Sequence, residues 1–224
     1  MYGFITGLLL WLSFATLVIG LTVRTVVYIR GLDWQVDRVA YGTHMALGFR
    51  EATRSIVHWL LPFWSVGWRA KPLFTIIFFV FHTGLLLTPV FLIGHAVLIK
   101  ERFGINWPTI PMGLADVLTV LVMCSVLFIA VRRMALPEVR IVTTAYDYLL
   151  LLITAAPFVT GFLLVHQVAD HRLWLYAHIL SAELLLIAIP FTKLYHVVGF
   201  FLSRGQLGMD FGIKRGFKGD GFDW

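Results

Sequence analysis

Four of the eight histidines fall inside long apolar segments, two on each of two segments: His82 with His95, and His178 with His196. Of the other four, His44 and His58 lie in the first loop, and His166 and His171 bracket the turn between the last two apolar segments. An ionisable side chain within a bilayer is costly and usually functional. Neutral imidazole is a good ligand for transition metals, and two imidazoles on one haem iron leave it no open position. Such a centre moves electrons and does not activate oxygen. A hydrolytic or transport zinc site would add carboxylates close to the histidines, or an H-E-x-x-H pattern, and neither is present. The single cysteine, Cys124, excludes a disulfide within the chain, an iron–sulfur cluster held by this chain alone, and c-type haem attachment through C-x-x-C-H. Two b-type haems held by histidine pairs are therefore the expected chemistry.

The elements that carry these residues follow from hydropathy. Of 224 residues, 59% are hydrophobic and only 13% charged, against about 25% charged in a soluble domain. Five stretches are long enough to span a bilayer, which takes about 20 apolar residues. They are read at 3–29, 73–99, 113–131, 145–168 and 173–200. The expected fold is thus an all-α integral membrane protein with five transmembrane helices. Residues 1–202 form the cytochrome-like domain and 203–224 a Gly-rich basic tail, too short to fold alone and expected to lie on a partner. The first span lacks a basic leader and a small-residue cleavage site, so it reads as a retained helix.

Charge sets the orientation. Arg30, Arg38, Arg50, Arg54, Arg69 and Lys71 share the first loop; Arg132, Arg133 and Arg140 share the third; Arg204, Lys214, Arg215 and Lys218 share the tail. The opposite side has only Lys100, Arg102 and Arg172. This positive-inside bias predicts an outside N-terminus and a cytoplasmic C-terminus in a prokaryotic inner membrane, and it accounts for the net charge of +6 without nucleic acid. Spans 2 and 5 then run in opposite directions. His95 pairs in depth with His178 near the outer face, and His82 with His196 towards the inner face. On a continuous fifth helix, the 18 residues from His178 to His196 return to the same face about 27 Å along. On span 2, the 13 residues from His82 to His95 would leave the side chains about 140° apart. Pro89 lies between them and is expected to kink or unwind that helix.

The first cytoplasmic loop, 30–72, alternates apolar residues with Arg50, Glu51, Arg54 and His58. It predicts an interfacial amphipathic helix with Trp59, Trp64 and Trp68 at headgroup level. Further polar groups have candidate roles. Glu183 would relay protons from a quinol or be bonded within the bundle. Asp116 would cap the third span or join that quinol site. Lys193 and Arg140 would meet haem propionates or snorkel to the interface. Gly84 and Gly94 would admit a haem face or a neighbouring helix.

The motifs around the histidines resemble a known family. Phe81-His82-Thr83-Gly84 and Gly94-His95 are similar to the helix 2 ligand segment of the gamma subunit of respiratory nitrate reductase and its relatives, the five-helix dihaem cytochromes b. Arg132-Arg133 through Pro137-Glu138-Val139-Arg140 to Thr143-Thr144-Ala145-Tyr146-Asp147 resembles its link between helices 3 and 4. His178 and Pro190-Phe191-Thr192-Lys193-Leu194-Tyr195-His196 resemble its helix 5. The resemblance implies two haems b, other membrane subunits, a cytoplasmic iron–sulfur partner and, often, quinol oxidation at the outer haem. The chain departs from that pattern in three places. Its helix 2 histidines are three residues further apart, Trp107 and its neighbours stand where the family has a quinol-site lysine, and Lys193 replaces an arginine. The small dihaem subunits in transmembrane redox complexes of sulfate-reducing bacteria look closer. They imply a heterodisulfide-reductase-like cytoplasmic subunit and a periplasmic multihaem cytochrome c, with menaquinone use left open. The competing expectation is a haem-free membrane anchor or transporter with its histidines bonded in the bundle.

Overall fold

The computed structural model describes residues 2–32 and 44–214, and among these it is all-helical, without strand. Arg38, Arg215, Lys218 and the final Gly-Asp-Gly-Phe-Asp-Trp lie outside the described residues, as does the side chain of Lys214. A widened π-helical turn, Phe4–Leu9, leads into α1 (Leu10–Arg30). Then follow α2 (Met45–Leu60), α3 (Val66–Ala70), α4 (Pro72–Phe91) and α5 (Ile93–Phe103). The chain continues through α6 (Met112–Ala135), α7 (Pro137–Arg140), α8 (Ala145–Val165), α9 (His171–Phe191) and α10 (His196–Lys214).

Five of these helical stretches are long and apolar enough to cross a membrane: Phe4–Arg30, Pro72–Phe91, Met112–Ala135, Ala145–Val165 and His171–Phe191. The protein is thus a multi-pass membrane protein by length and composition. Its surface agrees, since Val18, Leu127 and Leu152 are each more than 60% exposed. Small hydroxyl residues are buried instead. Thr119, Ser125 and Thr154 each donate to the carbonyl four residues back, which satisfies their hydroxyls without a partner helix. Cys124 is exposed on α6.

Two expected spans are shorter than their apolar runs. The second is not one helix over 73–99. It stops at Phe91, Leu92 is extended, and His95 belongs to the separate α5. The fifth is not one helix over 173–200. It stops at Phe191, and a 3-10 turn, Lys193–Tyr195, separates it from α10. His178 and His196 therefore sit on different helices, and the same-face argument from 18-residue spacing does not apply. Residues 203–214 continue α10, so position 203 falls within a helix and not at the start of a tail.

The chain divides into two compact units. One comprises residues 1–13 and 76–185. Its core is Phe81 of α4, Val122 of α6 and Phe158 of α8, flanked by Leu85, Val126 and Ile129. A Cβ at Gly84 would lie 2.6 Å from Val122 Cγ2 and 3.1 Å from the Leu118 carbonyl. Gly84 thus serves the approach of α4 to α6, the helix-packing role and not the haem-face role. Gly94 has open space. The basic turn into α8 is held by Asp147, whose Oδ2 accepts from the Thr144 amide (2.8 Å) and hydroxyl (3.0 Å). Arg133 lies 4.0 Å from the same carboxylate and donates to Thr143 Oγ1 at 3.2 Å. Asp147→Ala should cost about 1–2 kcal/mol, the usual loss of an N-terminal cap. Thermal unfolding in detergent would show it, and Asp147→Asn, which keeps the acceptor, should recover most of it.

The other unit comprises residues 14–75 and 186–224. Here α2, the expected amphipathic helix, packs along α10. A Cβ at Gly208 would run into the Glu51 carbonyl and one at Gly212 would lie 2.5 Å from Glu51 Cγ, so only glycine admits this approach. Around α3, Trp68 Nε1 donates to the Trp59 carbonyl (3.2 Å), Thr75 Oγ1 donates to the Trp68 carbonyl (2.8 Å), and the Arg204 guanidinium covers the Trp59 ring at 3.9 Å.

Candidate functional site

The break after α4 creates the position of His95. A helix end leaves its last carbonyls without partners, and in a membrane they must be satisfied by protein. Pro89, Val90 and Phe91 end the helix, and each carbonyl has a tertiary donor. His95 Nδ1 meets Pro89 O at 2.7 Å, Trp107 Nε1 donates to Val90 O at 2.8 Å, and the Ile110 amide donates to Phe91 O at 3.0 Å. The return of the chain that makes this possible starts at Gly104, which ends α5 in a left-handed conformation (φ +70°) that glycine adopts without strain. Trp107 is thus a structural donor to the broken helix beside His95.

His178 is set by α8. Its Nδ1 lies 2.9 Å from Pro157 O, and a Cβ at Gly161 would come within 2.9 Å of its Cε1. The pair Pro157 and Gly161, one turn apart, therefore supplies an acceptor and a space for the ring. Ser181 Oγ donates back to the His178 carbonyl at 3.0 Å and lies 3.3 Å from Thr160 Oγ1. Neither Pro157 nor Gly161 stands out by residue type. The signal available in the sequence was a proline four residues before a glycine inside a span.

His95 and His178 face each other, with ring centroids 6.0 Å apart and planes 14° from parallel. A backbone carbonyl only accepts, so Nδ1 carries the proton in both neutral rings and Nε2 keeps the lone pair.

His82 and His196 carry the same tautomer. His82 Nδ1 meets Phe78 O at 2.8 Å, with the Phe78 and Phe81 rings 4.1 and 5.1 Å from the imidazole. His196 Nδ1 meets Lys193 O at 3.0 Å, directly after the break in the fifth span. That break is closed by Arg24, which donates to Pro190 O (2.9 Å) and Thr192 O (3.3 Å) and lies over the Tyr195 ring at 4.1 Å. A Cβ at Gly20 would lie 2.6 Å from Pro190 Cβ, so α1 approaches the break closely. His82 and His196 belong to different compact units, and each is described within its own.

The remaining candidates take separate places. Asp116 does not cap α6: the helix starts at Met112 behind Pro111, and no acid lies in its first turn. The Asp116 carboxylate instead lies 3.3 Å from His166 Nε2 at the end of α8. Glu183 is only 2% exposed, and neither carboxylate oxygen has a hydrogen-bond partner. It sits five residues after His178, about 140° around the helix, and so off the face that carries the imidazole. Lys193 and Arg140 are exposed, on the turn before His196 and on α7. Among the described residues, no group of three or more His, Cys, Asp or Glu side chains gathers where a metal would need them.

No protein-family model matches the chain, and no solved structure matches it. A protein of Nitratidesulfovibrio vulgaris strain Hildenborough is 54% identical over 226 residues, with all of both chains covered. The chain belongs to the same family as that protein.

Proposed function

We propose that this chain is a dihaem cytochrome b subunit of a membrane redox complex. It passes electrons between a quinone pool or a periplasmic cytochrome c and a cytoplasmic iron–sulfur subunit of the heterodisulfide-reductase type. The observation that carries this is the facing pair His95 and His178. Both Nδ1 atoms are committed to backbone carbonyls, which leaves each Nε2 lone pair for a metal, and the two near-parallel rings lie with centroids 6.0 Å apart. A pair of imidazoles would suit a metal that carries further donors of its own, as haem iron does. When bound, a haem held by two imidazoles supplies reversible one-electron chemistry with no open coordination position.

In this account the chain's own residues do the positioning. Pro89 O and Pro157 O fix ring orientation and tautomer at the first pair, and such partners strengthen a histidine ligand. The second haem rests on the pairing of His82 with His196 read from the sequence; within its own unit, each turns Nδ1 to a backbone carbonyl, Phe78 O and Lys193 O. Lys193 and Arg140 supply cations for propionates. The bias of basic residues to the first and third loops and the tail puts the N-terminus outside and the C-terminus in the cytoplasm of a prokaryotic inner membrane.

The function is tested in proteoliposomes with ferricyanide trapped inside and a reductant outside. Wild type should carry electrons across the membrane, and His178→Ala should not. Equal rates for the two would sink the conduit. A menaquinol analogue as donor separates quinol oxidation from a bare conduit. Gly161→Val should weaken the first haem site without removing a ligand, because its Cβ occupies the space of the imidazole. The check is haem content after purification, expected to fall from about two towards one per chain; unchanged content would remove Gly161 from the account.

A further inference from the structure

The first cytoplasmic loop has a feature that electron transfer does not use. The face of α2 that bears Gly48, Glu51 and Ser55 is buried, with Glu51 and Ser55 packed against α10 through Gly208 and Gly212. The opposite face carries Phe49, 61% exposed, and Trp64, 51% exposed, stands in the turn that follows the helix. Between them runs an open groove of about 510 Å³, lined by Arg50, Arg54, His58 and Trp64 among others. Arg50, Arg54 and His58 are four residues apart in turn, so they form one stripe along the helix.

Buried Glu51 sets the stripe from behind. Its Oε1 lies 3.0 Å from Arg50 Nε and its Oε2 3.9 Å from Arg54 Nη1. Both guanidiniums flank the solvent side of this carboxylate, with the Arg50 side chain 61% and the Arg54 side chain 32% exposed against 2% for Glu51. His58 Nδ1 is turned to the Arg54 carbonyl at 2.9 Å, and its ring meets Trp64 edge-on with centroids 5.5 Å apart, closing one end. Arg69 donates to the Trp64 carbonyl at 3.2 Å and adds a cation at that end.

The segment joins two consecutive spans, so both its ends start from the same membrane face. A helix with arginines beside exposed aromatics at that level meets lipid headgroups with the former and acyl chains with the latter. We propose that this groove is a binding site for an anionic phospholipid, its phosphoryl headgroup between Arg50 and Arg54 and its acyl chain along Phe49, Val57 and Trp64. Charge complementarity selects the anionic headgroup over a zwitterionic one that meets the same apolar wall. The volume suits a headgroup with its glycerol, within the roughly 300–1,000 Å³ of ordinary ligand sites.

Native mass spectrometry of the full purified chain tests this, with phosphatidylglycerol, phosphatidylcholine or inorganic phosphate added. Phosphatidylglycerol should be retained about tenfold over phosphatidylcholine, the order expected for one to two cations at a headgroup. The double variant R50Q/R54Q should abolish the difference, while Arg132→Gln, in the other basic loop, should preserve it. Because the double variant also unties Glu51, Thr53→Trp provides a second arm. It fills the groove, keeps every charge, and should also abolish the preference. Equal retention of both lipids in wild type would overturn the site, as would a preference that survives both variants. Full displacement by millimolar phosphate would make it a small-anion site and overturn the lipid assignment.

Discussion

Replacing His178 by alanine should remove one of the two proposed haems and leave the other spectrally intact. The ring sits between Pro157 O and the space left by Gly161, facing His95 across 6.0 Å. No other imidazole on α9 can take its place, since His171 lies seven residues away in the first turn. Truncation would remove one of the two imidazoles that would hold this haem, and with it the low-spin spectrum that two imidazoles would give. Haem content should fall from about two to about one per chain, and His95→Ala should match it. His82→Ala and His196→Ala should both remove the other haem. If His178→Ala and His82→Ala abolished the same spectral component, the pairing would be wrong.

The second large effect is expected at Arg24, which no ligand argument singles out. Its guanidinium holds the carbonyls of Pro190 and Thr192, freed where the fifth span breaks, and covers the Tyr195 ring. Arg24→Ala strands the part-buried Pro190 carbonyl, at about 1–3 kcal/mol, while the exposed Thr192 carbonyl adds little. The expected loss is about 2 kcal/mol in all, read as a clear drop in the thermal unfolding midpoint in detergent. Arg24→Lys keeps a donor but cannot reach both carbonyls and cover the ring in the same way, so it should recover only part. Because His196 begins the helix after this break, Arg24→Ala should also loosen the second haem before the first. A stability equal to wild type would show that the break is satisfied from elsewhere.

The five apolar spans were legible because membrane length and hydropathy need no tertiary information. The amphipathic helix at 45–60 was legible from the alternation of arginines and aromatics for the same reason. The two interruptions were not. Apolar sequence continues through 92 and through 197–202, and what ends the helices is the arrival of donors remote in sequence: Trp107 and Ile110 at the first, Arg24 at the second. Pro89 and Pro190 marked both places, but a proline inside a membrane helix kinks as readily as it breaks.

The candidate site shows the same division. The four histidines follow from residue type alone, while their tautomers depend on carbonyls that only the fold frees. Gly84 and Gly94 drew notice because they flank histidines. The glycine that makes room for an imidazole is Gly161, on another helix. Asp116 looks like a cap along its own helix, whereas its partner, His166, ends a different one.

Haem extraction and quantification on the purified chain, with its reduced-minus-oxidised spectrum, tests the central claim most directly. The account predicts about two haems b per polypeptide and a split α-band on dithionite reduction, with no covalently bound haem. A chain that purifies folded without haem, and takes up none when haem is supplied, would contradict it.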